Sequence, residues 1–192
     1  MLKDILLKIN WVDLLALFIL LRASYVGIAS GFSKELFKLL GLVFAVCFSM
    51  HYFTALSDIS RKYITTKSIP LDFLDFISFV ILAISGYCIF VLIRITFERF
   101  IKMEEVPVLS RLGGVILGLA RGFLLTSLIM FCLFISTISN FKRNVVRSLA
   151  APQVFKIAPA TYRWVWNNIA SKFTTSKEIN DIISVIETNL KK

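Results

Sequence analysis

The sequence predicts an all-α fold, a polytopic membrane helix bundle with about four transmembrane helices and a short amphipathic helical tail. Apolar residues make up 57% of the 192 positions and charged residues 18%, whereas an ordinary soluble domain has about 45–50% and about 25%. Residues 39–56, 76–93 and 122–138 contain no formally charged side chain. Each run forms roughly 25 Å of helix, close to the thickness of a hydrocarbon core.

The limits of the first span are ambiguous. Asn10 is a suitable N-cap for a helix that begins at Trp11, but residues 11–21 are too few to cross a bilayer. The span includes either residues 5–9 with Lys8, or a continuation through Arg22 to about residue 32. Asp13 lies in or near the membrane in both cases. We interpret Asp13 as interfacial, with Trp11 at headgroup level; the alternative is a buried polar role.

Three further spans follow, over about residues 33–56, 73–95 and 109–138. The aromatic group His51-Tyr52-Phe53 is typical of a membrane interface. A polar loop at 57–75 and a charged strip at 98–105 separate the spans, and Pro107 either breaks a helix or begins the next one. We predict a transmembrane domain over 1–140 and a basic amphipathic tail over 141–192.

Two tail segments have apolar residues at helical spacing, 161–173 with Trp166, Ile169 and Phe173, and 178–190. Such helices lie on a bilayer surface, pack on a partner or form a terminal hairpin, and the pattern leaves these alternatives open.

The net charge of +10 (22 basic and 12 acidic residues) indicates the lipid bilayer and anionic lipids as partners. No base-stacking motif supports nucleic acid. Cys47, Cys88 and Cys132 lie one in each apolar run, where cysteine usually serves as a small hydrophobe. Enzyme signatures are missing, and His51 is the only histidine. We therefore expect no enzyme activity, no catalytic residue, no cofactor and no metal.

Three glycines recur every fourth residue in the fourth span. Gly114, Gly118 and Gly122 fall on one helix face, and Arg111 and Arg121 fall within the same arc of about 100°. Glycine at this spacing lets two membrane helices approach closely. An arginine there needs an acidic partner or a wet path, so the face predicts either helix packing or a lined conduit.

An earlier glycine pair, Gly27 and Gly31, has the same spacing. If the helix continues there, Lys34, Glu35 and Lys38 share its face. Glu35 is then a candidate partner for Arg121, and Asp13 is another. The two glycine motifs suggest two helix pairs of related design.

Four segments together resemble the colicin V production protein family, in order and spacing, over roughly residues 10–165. They are Trp11-Val12-Asp13, Gly31-Phe32-Ser33-Lys34-Glu35-Leu36, Arg111-Leu112-Gly113-Gly114 and Gly118-Leu119-Ala120-Arg121-Gly122. The resemblance implies a multi-pass protein of the bacterial inner membrane with about four spans. The family often has arginine where this chain has Ser30 and an acid where it has Ser110.

The resemblance also implies a function in colicin V (bacteriocin) production, a toxin biosynthetic process, and in envelope maintenance. Some relatives append a trypsin-like protease, which the tail of this chain does not resemble. A non-enzymatic scaffold or assembly factor, acting through membrane protein partners or self-association, is the first hypothesis. A small channel or transporter component with a basic, glycine-lined helix face is the alternative. Lys and Arg are almost equally divided between the two sides of the spans, so orientation is not fixed.

Overall fold

The structure, a computed structural model, describes residues 10–63, 71–100, 107–136, 138–172, 180 and 182–190. Every regular element in these ranges is helical, so the predicted all-α class is confirmed. Four long helices come first, α1 (Trp11–Ser30), α2 (Phe32–Tyr63), α3 (Leu71–Phe100) and α4 (Pro107–Ile135). Shorter elements follow, α5 (Ser139–Arg147), α6 (Ala151–Val154), α7 (Ile157–Asn168), a 3₁₀ turn (Ala170–Lys172) and α8 (Ile182–Leu190).

Four segments are long and apolar enough to cross a membrane, Trp11–Ser30, Phe32–Tyr63, Phe73–Thr96 and Ser110–Ile135. The first span follows the second of the two alternatives, because it begins at Trp11 and continues past Arg22. Asn10 caps it as predicted, in a capping box with Asp13. Lys8 and the rest of 5–9 lie outside the described residues.

The helices extend further into the polar segments than the sequence indicated. α2 continues to Tyr63 and α3 begins at Leu71, within the predicted loop 57–75. Arg61 joins the two ends because its guanidinium lies 3.1 Å from Asp58 and 3.0 Å from Asp75. α3 also includes the first part of the charged strip 98–105, of which 101–106 are outside the described residues. Pro107 begins α4, where its missing N–H is no loss.

α1 and α2 are connected by a single residue, Gly31, with φ 78°. This left-handed conformation favours glycine and reverses the chain, so that α2 runs antiparallel to α1. The continuous helix assumed for the Gly27–Gly31 face is therefore wrong. Glu35 belongs to the neighbouring helix, not to the helix that carries Gly27.

α1 packs mainly on α4, whereas α2 packs on both α3 and α4. The core between them consists largely of aromatic and aliphatic side chains, including Val46, Met50, Phe53, Phe79, Leu124 and Phe131. Phe53 is 1% exposed, so its expected place in an interface belt is wrong. It faces Phe79 across α2 and α3, with ring centroids 5.9 Å apart.

The described part of the tail folds back on the bundle. Buried Ser127 of α4 donates to the Phe155 carbonyl and accepts from the Ala158 N–H, both at 2.8 Å. The second bond caps the first turn of α7, where N–H groups lack partners within the helix. The described tail therefore shares the bundle core.

A second contact joins α7 to α2. The Tyr162 hydroxyl lies 3.0 Å from His51 Nδ1, and the Trp166 ring stacks on His51 at 4.2 Å. Burial raises the pKa of the Tyr162 hydroxyl. Ile169 was expected on the Trp166 face but is exposed, because α7 ends at Asn168.

Phe173 and Ile179 lie outside the described residues. The boundary predicted at residue 140 stays a prediction, although α5, α6 and α7 contribute Val145, Val154 and Tyr162 to the common core.

We predict that Ser127→Ala loosens the tail. The change leaves a buried N–H and a buried carbonyl without partners, at a cost of about 1–3 kcal/mol. Thermal unfolding in detergent measures the loss. Ser85→Ala is the matched control, since Ser85 bonds only carbonyls of its own helix, and it should leave the midpoint almost unchanged. Equal midpoints for the two variants would contradict the assignment.

Candidate functional site

The two glycine motifs form one interface between α1 and α4. A Cβ added at Gly118 would lie 2.7 Å from the Ala23 carbonyl oxygen, and one added at Gly122 would lie 2.9 Å from Ala23 Cβ. A Cβ on Gly27 or Gly114 would clash with the carbonyl oxygen of the other. The predicted backbone approach is confirmed, but the motifs meet each other and do not build two separate helix pairs.

The connection at Gly31 is part of the same contact. The Phe32 N–H, the first in α2, donates to Ser110 Oγ of α4 at 3.1 Å. The Phe32 ring covers Gly113, where an added Cβ would lie 2.6 Å from its Cδ2. Ser110 thus supplies an acceptor at a helix N-terminus, a position where an acid serves equally well.

A buried ion cluster lies beside the glycine interface. Glu35 is 0% exposed, and its Oε1 lies 2.6 Å from Lys38 Nζ while its Oε2 lies 3.0 Å from Arg121 Nε. The Arg121 contact is a charge contact without an aligned hydrogen bond. Lys38 also donates to Ser30 Oγ at 2.8 Å. The cluster therefore ties α1, α2 and α4 together, and the pairing of Glu35 with Arg121 follows the sequence hypothesis.

Asp13 is not a partner of Arg121, so that hypothesis is wrong. Its carboxylate accepts from the Asn10 N–H at 3.0 Å, Ser148 Oγ at 2.6 Å and the Ala150 N–H at 3.0 Å. Asp13 lies in the first turn of α1, whereas the level of Arg121 corresponds to Ala23. Asp13 instead fixes the loop between α5 and α6. Nearby, Trp11 packs against Phe141 with centroids 5.7 Å apart.

The arginines do not both lie on the packed glycine face. Arg111 is exposed, because α1 ends at Ser30 and offers no surface opposite that turn of α4. Arg121 lies at the edge of the face and turns toward α2, not toward α1. Its side chain is 19% exposed. The predicted helix face is therefore correct for the three glycines and wrong for Arg111.

Two cavities adjoin Arg121. One, of about 320 Å³, lies on the α1 side and is lined by Phe18, Ile19, Arg22, Ala23, Val26, Arg121, Gly122 and Leu125. The other, of about 390 Å³, lies on the α2 and α3 side and is lined by Leu42, Ala45, Ala83, Ile84, Tyr87, Cys88, Arg121, Leu125 and Leu128. Arg121 and Leu125 line both cavities, so α4 forms the floor between them.

Sequence reasoning missed several polar contacts. The helical pattern puts Lys38 on the same face as Glu35 but does not indicate that the two side chains pair. It also does not indicate the contacts of Ser127, Ser148 and Tyr162. The hydroxyl of Ser127 within an uncharged run is the only signal for its contact, and that signal is common to many membrane helices.

No group of three or more metal-ligating side chains occurs among the described residues. Cys47, Cys88 and Cys132 are all unpaired thiols. The geometry therefore supports helix assembly and charge pairing, and the expectation of no metal or cofactor stays a prediction.

The family model described as colicin V production protein matches residues 12–159. The match covers the four spans, both glycine motifs and the ion cluster. A search of curated proteins and a search of solved structures found no match.

We predict that Gly114→Ala destabilises the protein although alanine is the better helix former, by about 1 kcal/mol in a helix interior. The added methyl meets the Gly27 carbonyl, so α1 and α4 must separate. Ala120→Val changes an exposed site on the same helix and serves as the control. Thermal unfolding in detergent should show a lower midpoint for Gly114→Ala alone. A higher unfolding midpoint for Gly114→Ala than for the wild type would contradict the prediction, because it would show that α1 and α4 accommodate the added methyl group.

We predict strong coupling between Glu35 and Arg121. Breaking a buried ion pair costs about 3–5 kcal/mol, because the remaining charge stays buried. Glu35→Ala and Arg121→Ala should therefore each lower folded yield, and the double variant should lose less than the sum of the two. Lys34→Gln, which removes an exposed charge one position away, should have little effect. Strict additivity in the double-mutant cycle would contradict the pairing.

Proposed function

The chain belongs to the colicin V production protein family, and from this premise we propose that it acts as a non-enzymatic scaffold or assembly factor of the bacterial inner membrane. The family supports a role in colicin V production, and the four apolar helices make the chain a multi-pass membrane protein. The proposal adds how it acts, through membrane protein partners, and extends its role to envelope maintenance.

The closed glycine face is the observation that carries the proposal. Gly114 and Gly118 are covered by the α1 backbone at Gly27 and Ala23, and Gly122 is covered by the side chains of Ala23 and Leu20. Backbone contact of this kind holds two helices together and leaves no passage between Gly114 and Gly27. This supports a structural use of the motif that is most specific to the family.

The polar groups near the glycine face support the same proposal. Glu35 is engaged by both Lys38 and Arg121, and Asp13 is occupied by three hydrogen-bond donors. Their contacts position helices and a loop, as a scaffold requires.

A small channel or transporter component is the second candidate, and the two cavities at Arg121 favour it. In that case the passage would follow Leu125 and Leu128, outside the glycine face. A water-filled path lined by an arginine is a known arrangement for anion transport.

We predict that single cysteines placed along residues 112–138, in a variant whose Cys47, Cys88 and Cys132 are replaced by alanine, react with a water-soluble maleimide only near the two ends. A scaffold excludes water from the membrane interior, so Leu125→Cys and Leu128→Cys should stay unlabelled. Labelling at every third or fourth position through the middle would support the conduit and contradict the scaffold.

Colicin V release gives the cellular test. A host that carries the colicin V plasmid and lacks this protein should release less toxin, and wild-type protein should restore it. Gly114→Ala should restore release only in proportion to the folded protein present, measured by membrane immunoblot. Unchanged release in the deletion host would contradict the proposed function.

A further inference from the structure

Arg22 lies near the middle of the first apolar span, Trp11–Ser30. It is exposed, and it has no hydrogen bond or ion pair in the part of the chain that the structure describes. At about 1.5 Å per residue it lies about 12 Å from Ser30 and about 16 Å from Trp11 along α1. An arginine near the middle of a bilayer is costly unless it meets an anion or water.

Arg22 lies at one side of a groove whose floor is formed by α4. The two cavities at Arg121 share Arg121 and Leu125 in their linings, so they lie side by side along α4. α1 forms one wall, with Phe18 64% exposed, and α3 forms the other, with Ile84 61% exposed. The groove is therefore apolar at its edges, basic at Arg22 and Arg121, and open toward the lipid.

Arg22 has no acidic partner, unlike Arg121. Glu35 pairs with Arg121 and Lys38, and among the described residues no carboxylate lies within salt-bridge distance of Arg22. An acidic group in the groove would pair with Arg22 and neutralise its charge.

A second copy of this chain is a poor source of that acid. Residues 39–56, 76–93 and 122–138 contain no charged residue. Each acid whose side chain the structure describes is already engaged, namely Asp13, Glu35, Asp58 and Asp75.

A lipid phosphate is disfavoured by direction. Side chains in a helix lean toward its N-terminus, which takes Arg22 away from Ser30 and the nearer surface. The remaining anion at this depth is a carboxylate carried into the membrane on another helix.

We propose that the groove formed by Phe18, Arg22, Ile84, Arg121 and Leu125 docks a transmembrane helix of a different membrane protein that carries an aspartate or glutamate near its middle. This inference rests on the proposed scaffold function and names the class of its partner. The acid pairs with Arg22, and apolar residues of the docked helix contact Phe18 and Ile84.

The test uses defined probes in zwitterionic phosphatidylcholine vesicles. The probes are two Leu-rich transmembrane peptides with lysines at both ends, one with a central Glu and one with a central Gln. Energy transfer to a dye on Asn168→Cys, in the protein without its three native cysteines, reports binding. We expect the Glu peptide to bind about tenfold more tightly, and Arg22→Gln to remove this preference. Lys34→Gln, an equal charge change outside the groove, should keep it.

Two further arms make the result decisive. Ile84→Trp fills the groove while leaving Arg22 in place, so it should weaken both peptides. Unfolding midpoints confirm that each variant is folded. Equal affinity of the two peptides for the wild type, or an unchanged Glu preference in Arg22→Gln, would overturn the proposal.

Anionic lipid provides the competing outcome. If phosphatidylglycerol in the vesicles abolishes the Glu preference, a phosphate headgroup occupies the site and the partner-helix proposal is overturned. Failure here is distinct from failure of the proposed function. If only the partner-helix proposal fails, the preference for the Glu peptide is missing while colicin V release still depends on the protein. If the proposed function fails, colicin V release does not depend on the protein.

Discussion

The buried carboxylate of Glu35 is the constraint on which the arrangement of the bundle depends. A charge that is 0% exposed requires opposite charge at contact distance, and here it comes from Lys38 and Arg121. The pair with Arg121 sets the height of α4 against α2. The bond from Lys38 to Ser30 sets the end of α1 against the same point. The contacts around Glu35 therefore fix the positions of α1, α2 and α4 relative to one another.

Close packing and charge pairing depend on each other here. Gly114 and Gly118 let α4 approach α1 at backbone distance, while Arg121 of the same helix contacts Glu35 on α2. In turn the ion pair holds α4 in the one register where those glycines face Gly27 and Ala23. Lipid offers little hydrophobic drive for helix association, so both contributions are needed to specify the register.

Much of this could be predicted from the sequence. The spans follow from uncharged runs and the interface follows from glycines every fourth residue. Glu35 is a correct candidate for Arg121, but the prediction assumes a helix that is continuous through Gly31, which the structure contradicts. The errors concern neighbours in space. Asp13 was considered for Arg121 because helix periodicity gives a face and not the element opposite it. The reversal between α1 and α2 depends on the backbone conformation of Gly31, which a pattern of apolar residues does not indicate. The tail contacts of Ser127 and Tyr162 depend on how α7 returns, which local sequence does not state.

The short distance between Glu35 and Lys38 has a consequence for biosynthesis. Both residues lie on α2 and leave the ribosome well before Arg121. Lys38 can therefore accompany the carboxylate into the bilayer as a local counterion, one turn away on the same helix. Arg121 then arrives with α4 and completes the cluster. Lys38 thus neutralises Glu35 while the chain is still being synthesised, and Arg121 takes its place beside the carboxylate once α4 has been made.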